Sequence, residues 1–154
     1  MKAAGLSLSK WSMSKGNLPP ERALRIEYVA LGEVKRWPRN PKRHDLPALT
    51  RSLARFGFIS PIILNEATGE LLAGHGRLDA LGAQQASGQA PPPGIEAKNG
   101  TWLVPVVRGI SLSEREAAAY AIADNRLVET GAWNEELLAD VLQGIDLAGV
   151  GFAE

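Results

Sequence analysis

The stretch Ala73-Gly74-His75-Gly76-Arg77 holds the residues of this chain best suited to chemistry. It stands where an apolar run, Pro61-Ile62-Ile63-Leu64 and then Leu71-Leu72-Ala73, gives way to a helix-like stretch over Leu78–Ala86. Two glycines at a strand-to-helix turn let backbone N–H groups come close to a ligand, and a helix N-terminus attracts anions. Arg77 adds a planar fork of donors suited to phosphate oxygens. The implied chemistry is phosphate or nucleotide binding. The bare alternative is a tight turn, with His75 at the surface or capping the helix and Arg77 paired to Asp79 or Glu70.

The elements that must position this turn are legible from periodicity. Arg25–Leu31 alternates and is rich in β-formers, so it predicts a strand. Lys35-Arg36-Trp37-Pro38-Arg39-Asn40-Pro41-Lys42-Arg43-His44 carries five basic residues and two prolines, which predicts a rigid loop. Asp45 is placed to cap a helix over Leu46–Phe56, whose Leu46, Leu49, Leu53 and Phe56 share one face; Gly57 ends it. Ile62–Asn65 and Glu70–Ala73 read as a hairpin leading into the glycine turn. Ala90-Pro91-Pro92-Pro93-Gly94 predicts an exposed loop, and Thr101–Val107 a strand in which Pro105 points to an edge or a bulge. Ser113-Glu114-Arg115-Glu116 fits a capping box for a helix through about Asp124, and Asn134 opens a last helix closed near Gly144. Trp102 and Trp133 are expected in the core. The fold class expected is mixed α/β, with a flexible arm over 1–24, a domain over 25–130 and a helical extension over 131–154.

Composition sets the outer bounds. The chain has 154 residues, 45% of them hydrophobic and 22% charged, and a formal net charge of zero. No apolar run is long enough to span a membrane. There is no cysteine, which excludes thiol catalysis and disulfides and makes a reducing cytoplasm the expected compartment. The zero net charge conceals an asymmetry: residues 1–55 hold twelve Lys/Arg against four Asp/Glu, and residues 56–154 hold five against thirteen. A basic half suits polyanions; equally, the two halves attract one another.

Three blocks in order resemble the ParB N-terminal domain, of the ParB/sulfiredoxin fold. Asn40-Pro41-Lys42-Arg43-His44, followed by a helix and Gly57-Phe58-Ile59-Ser60-Pro61-Ile62, is similar to the family's first box. Gly74-His75-Gly76-Arg77 with Ala80 is similar to its phosphate box, and Asp124-Asn125-Arg126 to its third, where an acidic-Asn pair ends a helix. Ala123–Arg126 followed by Trp133–Leu138 looks most like members from phages and mobile elements, often found ahead of a DNA methyltransferase. The stretch Ile145–Phe152 resembles the point where such proteins continue.

The resemblance implies a nucleoside triphosphate held with Mg²⁺, cytidine triphosphate being the ligand in partitioning members. Gly74, His75 and Gly76 would offer backbone donors, and Arg77 would pair with phosphate oxygens. Arg43 and His44 would close over the phosphates, while Asp124 and Asn125 would hold the divalent cation. Gly76 stands where many partitioning members have an arginine, and Asp124 replaces Glu. Lacking cysteine, the chain cannot reduce sulfinic acids as sulfiredoxins do. The function expected is a nucleotide-binding module in DNA metabolism or modification, with slow triphosphate hydrolysis as a conceivable activity. The alternatives are a DNA-binding or nuclease domain, with Lys35, Arg36, Arg39 and Lys42 touching DNA, and an N-terminal accessory domain of a DNA methyltransferase. Oligomeric state is left open by the sequence; since family members often dimerise when nucleotide binds, the resemblance makes a homodimer one possible assembly.

Overall fold

Along residues 23–152, which the computed structural model of the chain describes, ten elements follow one another. They are β1 (Arg25–Ala30), a 3-10 turn (Leu31–Glu33), α1 (Leu46–Phe56), β2 (Ile62–Asn65), β3 (Leu71–Ala73), α2 (His75–Ala86), β4 (Glu96–Lys98), β5 (Thr101–Ile110), α3 (Glu114–Glu129) and α4 (Glu135–Leu142). The arm expected over 1–24 lies, except for its last two residues, outside the described residues.

The strands form one mixed sheet in the order β1-β5-β2-β3, with β4 added to β5. β1 and β4 run antiparallel to β5, β2 runs parallel to it, and β2 and β3 are antiparallel neighbours, as the hairpin pattern predicts. This is the mixed α/β class expected. Pro105, read as an edge signal, instead sits in the central strand opposite Tyr28. It is tolerated because, on its other flank, β4 pairs with residues 101–103 and β2 only from Val106 onward. That flank asks for no rung at residue 105, so proline's missing donor is not felt there.

The caps work as the sequence implies. Asp45 accepts from the Ala48 N–H, Ser113 from Glu116 and Asn134 from Leu137, which fixes the starts of α1, α3 and α4. Gly57 closes α1 with φ of 81°. The Pro91–Gly94 loop is less exposed than expected: Pro92 is buried, and Phe58 N–H donates to the Pro93 carbonyl at 2.7 Å. The core lies between the sheet and α1 and α2, with Ile62, Leu78, Leu81, Val104 and Val106 fully shielded. Each such side chain contributes about 1.5–3 kcal/mol relative to an exposed one.

Two expectations fail in the C-terminal part. The helix expected to end near Asp124 continues to Glu129, because Asn125, Arg126, Leu127 and Val128 include no glycine or proline to break it before Thr130. Trp102 is buried, but Trp133 is 70% exposed and packs edge-on with the Phe152 ring, centroids 6.0 Å apart. Trp133 precedes α4, and residues 145–152 fold back on α1. There Arg55 donates to the Asp146 and Ala148 carbonyls.

Candidate functional site

The local rule at the glycine turn is set by the backbone. Gly74 precedes α2 with φ of 102° and ψ of 17°, a left-handed conformation in which a Cβ would lie 2.5 Å from Ile62 Cγ2. Only glycine meets both demands. The helix then begins at His75, three residues earlier than the apolar pattern suggests, so His75, Gly76 and Arg77 form its first turn. The Leu78 N–H reaches the Gly74 carbonyl at 3.0 Å, but the amides before it lie upstream of the helical ladder and no side chain caps them.

Around this turn the fold assembles a cleft of about 180 Å³, lined by Asn40, His44, Leu49, Ala73–Arg77, Asp124 and Asn125. Parts of three distant sequence blocks meet there. The basic loop is fastened on three sides. The Lys35 carbonyl accepts from Leu71 N–H at 2.9 Å, Arg36 pairs with Asp79 of α2 at 2.7 Å, and Lys42 pairs with Glu129 at the end of α3. These anchors seat His44 over Gly76: a Cβ on residue 76 would lie 2.7 Å from His44 Cγ and 2.8 Å from its Nδ1. α3 brings Asp124 and Asn125 in from the side, and its extra length gives Lys42 its partner Glu129.

Three nitrogens in this cleft are buried without a hydrogen-bond partner: His44 Nε2, His75 Nε2 and Arg77 Nε. Arg77 is half-buried and gives one donor, Nη2, to the Pro61 carbonyl at 3.2 Å; it pairs with neither Asp79 nor Glu70, since Asp79 is taken by Arg36. Burial pulls its basicity down, and the Asp124 carboxylate partly opposes that. Burial also depresses both imidazoles. For His44, Asp79 works against this and Lys42 with it. For His75, His44 and Arg36 add to the depression while Asp79 opposes it. The resting cleft therefore holds two largely neutral imidazoles beside a guanidinium and an uncapped helix N-terminus, an arrangement that an anion would complete.

Other expected site residues fall differently. Arg43 is exposed and is not among the residues lining the cleft. Asn125 does not end a helix; it lies within α3 and its amide donates to the Ala121 carbonyl at 2.9 Å. Among the described residues, no group of three or more His, Asp or Glu is placed to hold a metal ion. Of the four basic residues expected to touch DNA, Arg36 and Lys42 are engaged by carboxylates, whereas Arg39 lines a shallow groove with Trp37 and Glu114. Leu49, unmarked as a site residue in the sequence, presses on Gly76 beside His44; its place on the apolar face of α1 hid that role.

No protein-family model matches the chain. Among curated proteins it is 35% identical over 60 residues to the ParB-like nuclease domain-containing protein YnaK of Escherichia coli (strain K12), covering 37% of this chain and 68% of the relative. Among solved structures it resembles the C-terminally truncated chromosome-partitioning protein ParB from Caulobacter crescentus, complexed with CTP-gamma-S, with a TM-score of 0.51 and 23% identity. That alignment covers 77% of this chain and 62% of the ParB chain, and it speaks for the fold. A relative matched over two thirds of its length, a shared fold, and three boxes converging on one cleft lead to one conclusion: the chain belongs to the ParB-like domain family.

Proposed function

We propose that the cleft binds the phosphates of a nucleoside triphosphate, and that the protein is a nucleotide-binding module acting in DNA metabolism or modification. The observation that carries this reading is the convergence of three buried, partnerless nitrogens on an uncapped helix N-terminus. A polyphosphate brings more charge and reaches further along the cleft than a carboxylate or a single phosphate does. The CTP analogue bound to the Caulobacter crescentus ParB structure supports cytidine triphosphate as the first nucleotide to try.

Gly74, His75, Gly76 and Arg77 would meet the phosphates, with His44 closing from the loop and Arg43 beside it. Asp124 and Asn125 would hold Mg²⁺, which supplies charge neutralisation between phosphate oxygens when bound. With one carboxylate at the cleft, the ion would take its other ligands from phosphate and water. The same scarcity of carboxylates favours holding a nucleotide over cutting a nucleic acid, a reaction that generally uses several acidic ligands. The engagement of Arg36 and Lys42 by carboxylates likewise favours the nucleotide over DNA as the primary ligand.

Thermal unfolding with ATP, CTP, GTP and UTP, each with Mg²⁺, tests the reading alongside Arg77→Ala. A ligand at a hundred times its dissociation constant adds about 2.7 kcal/mol, a rise of several degrees for a domain of this size. Stabilisation by one nucleotide that vanishes in Arg77→Ala is the expected result. No shift with any nucleotide would leave the turn as architecture alone.

A further inference from the structure

His44 and His75 reach the same cleft by different routes, one on the anchored basic loop and one in the first turn of α2. Each keeps its Nε2 buried and without a partner. His75 is only 8% exposed, so water does not serve it freely. Gly76, between His75 and Arg77, leaves the space that the His44 ring fills. Two imidazoles are thus held at an anion-attracting helix end with their outer nitrogens unspent. A fixed cation would have served an anion site more simply, which makes the use of two titratable rings informative.

We propose that His44 and His75 form a proton-coupled clamp on the ligand's phosphate oxygens, in which binding the anion draws protons from solution onto the two rings. The proposal rests on the phosphate-binding reading above and specifies how the site is charged. In each ring Nε2 takes a proton from solvent and donates it in a hydrogen bond to a phosphate oxygen; no covalent bond forms or breaks elsewhere. The charged groups around the rings are Asp79 and Arg77 on α2, Arg36 and Lys42 on the loop, Asp45 at the start of α1, and Asp124 on α3. Asp79 favours the charged rings, but Arg36 pairs with it and partly cancels that pull. Asp45 is spent on the Ala48 N–H. With burial, Lys42 and the mutual repulsion of the rings all opposing charge, an arriving polyphosphate is the largest favourable change either ring meets.

The sign follows from linkage. A ring whose proton affinity rises on binding makes affinity greatest at low pH, falling as pH rises through the free-state values. The steepest fall is about tenfold per pH unit for each proton taken up. Calorimetric titration of the full chain with inorganic tripolyphosphate, and separately with CTP, in two buffers of different ionisation heat counts these protons directly. Each probe's residual last phosphate proton at the working pH is measured by titration of the free probe and counted separately, so the remaining uptake belongs to the protein. Uptake between one and two protons, reduced in His44→Gln and again in the double variant with His75→Gln, is the expected result. Binding with equal heats in both buffers would overturn the clamp while leaving the nucleotide reading intact. No binding of either probe would overturn both. The wild-type measurement needs no variant to fold.

Discussion

The His44 ring lies where a side chain on Gly76 would have to be: a Cβ there would approach Cγ to 2.7 Å. The two residues are 32 positions apart, yet each defines the other's room. Gly76 is helical, so its absence of a side chain serves packing rather than backbone conformation.

Gly76→Ala separates these two effects. An alanine inside a helix ordinarily adds up to about 1 kcal/mol over glycine. Here it must push the His44 ring and Leu49 aside, so the expected outcome is unchanged or reduced thermal stability and about tenfold weaker tripolyphosphate binding, ~1.4 kcal/mol. A more stable protein that binds equally well would show that the ring is not seated there.

Arg77→Lys keeps a positive charge but removes the planar fork and the bond to the Pro61 carbonyl. Nucleotide-dependent stabilisation is expected to fall between wild type and Arg77→Ala, and differential scanning fluorimetry with CTP and Mg²⁺ reads it. Equality with wild type would mean that only charge matters at this position.

Because burial depresses both imidazoles in the ligand-free protein, folding favours their neutral forms. The unfolded chain therefore binds more protons below the ordinary histidine value of 6.5. Ligand-free stability should decline as pH falls from there toward the depressed folded-state values, then level in this contribution. Melting curves from neutral to mildly acidic pH check this, and His44→Gln with His75→Gln should flatten the slope. An unaltered slope in that variant would assign it to other groups.

Asn65 is fully buried and ties the end of β2 to the entry of α3. It donates to the Leu112 carbonyl at 3.0 Å and accepts from the Leu112 N–H at 2.9 Å. Asn65→Leu should be destabilising by about 1–3 kcal/mol for each group left unpaired. Since α3 carries Asp124 into the cleft, Mg²⁺-dependent stabilisation should weaken with it. Chemical denaturation with and without nucleotide measures both effects.

Asp124→Asn removes the carboxylate that faces Arg77 without changing its size. If Asp124 holds the cation, nucleotide stabilisation should become independent of Mg²⁺ while persisting in its absence. Retention of the full Mg²⁺ effect would move the ion elsewhere.

What the sequence determined by itself is local. Asp45, Ser113 and Asn134 announce helix starts because a side-chain oxygen three residues from an orphan N–H needs no distant help. The hairpin into Gly74 and the apolar face of α1 are likewise readable within a few residues, and the three motif blocks marked the fold in advance. Only the tertiary structure decided the rest. The charge asymmetry turned out to include ion pairs across the chain, Arg36 with Asp79 and Lys42 with Glu129, and those pairs fix the loop that carries His44. Pro105 became central because neighbouring strands left one flank unclaimed, and Trp133 is exposed, with Phe152 packed edge-on to it, while the C-terminal stretch also folds onto α1. Caps and periodicity act over one or two turns, whereas the seating of His44 on Gly76 depends on which distant surfaces the sheet brings together. That distance in sequence is why the cleft's donors were visible beforehand and their unmet hydrogen bonds were not.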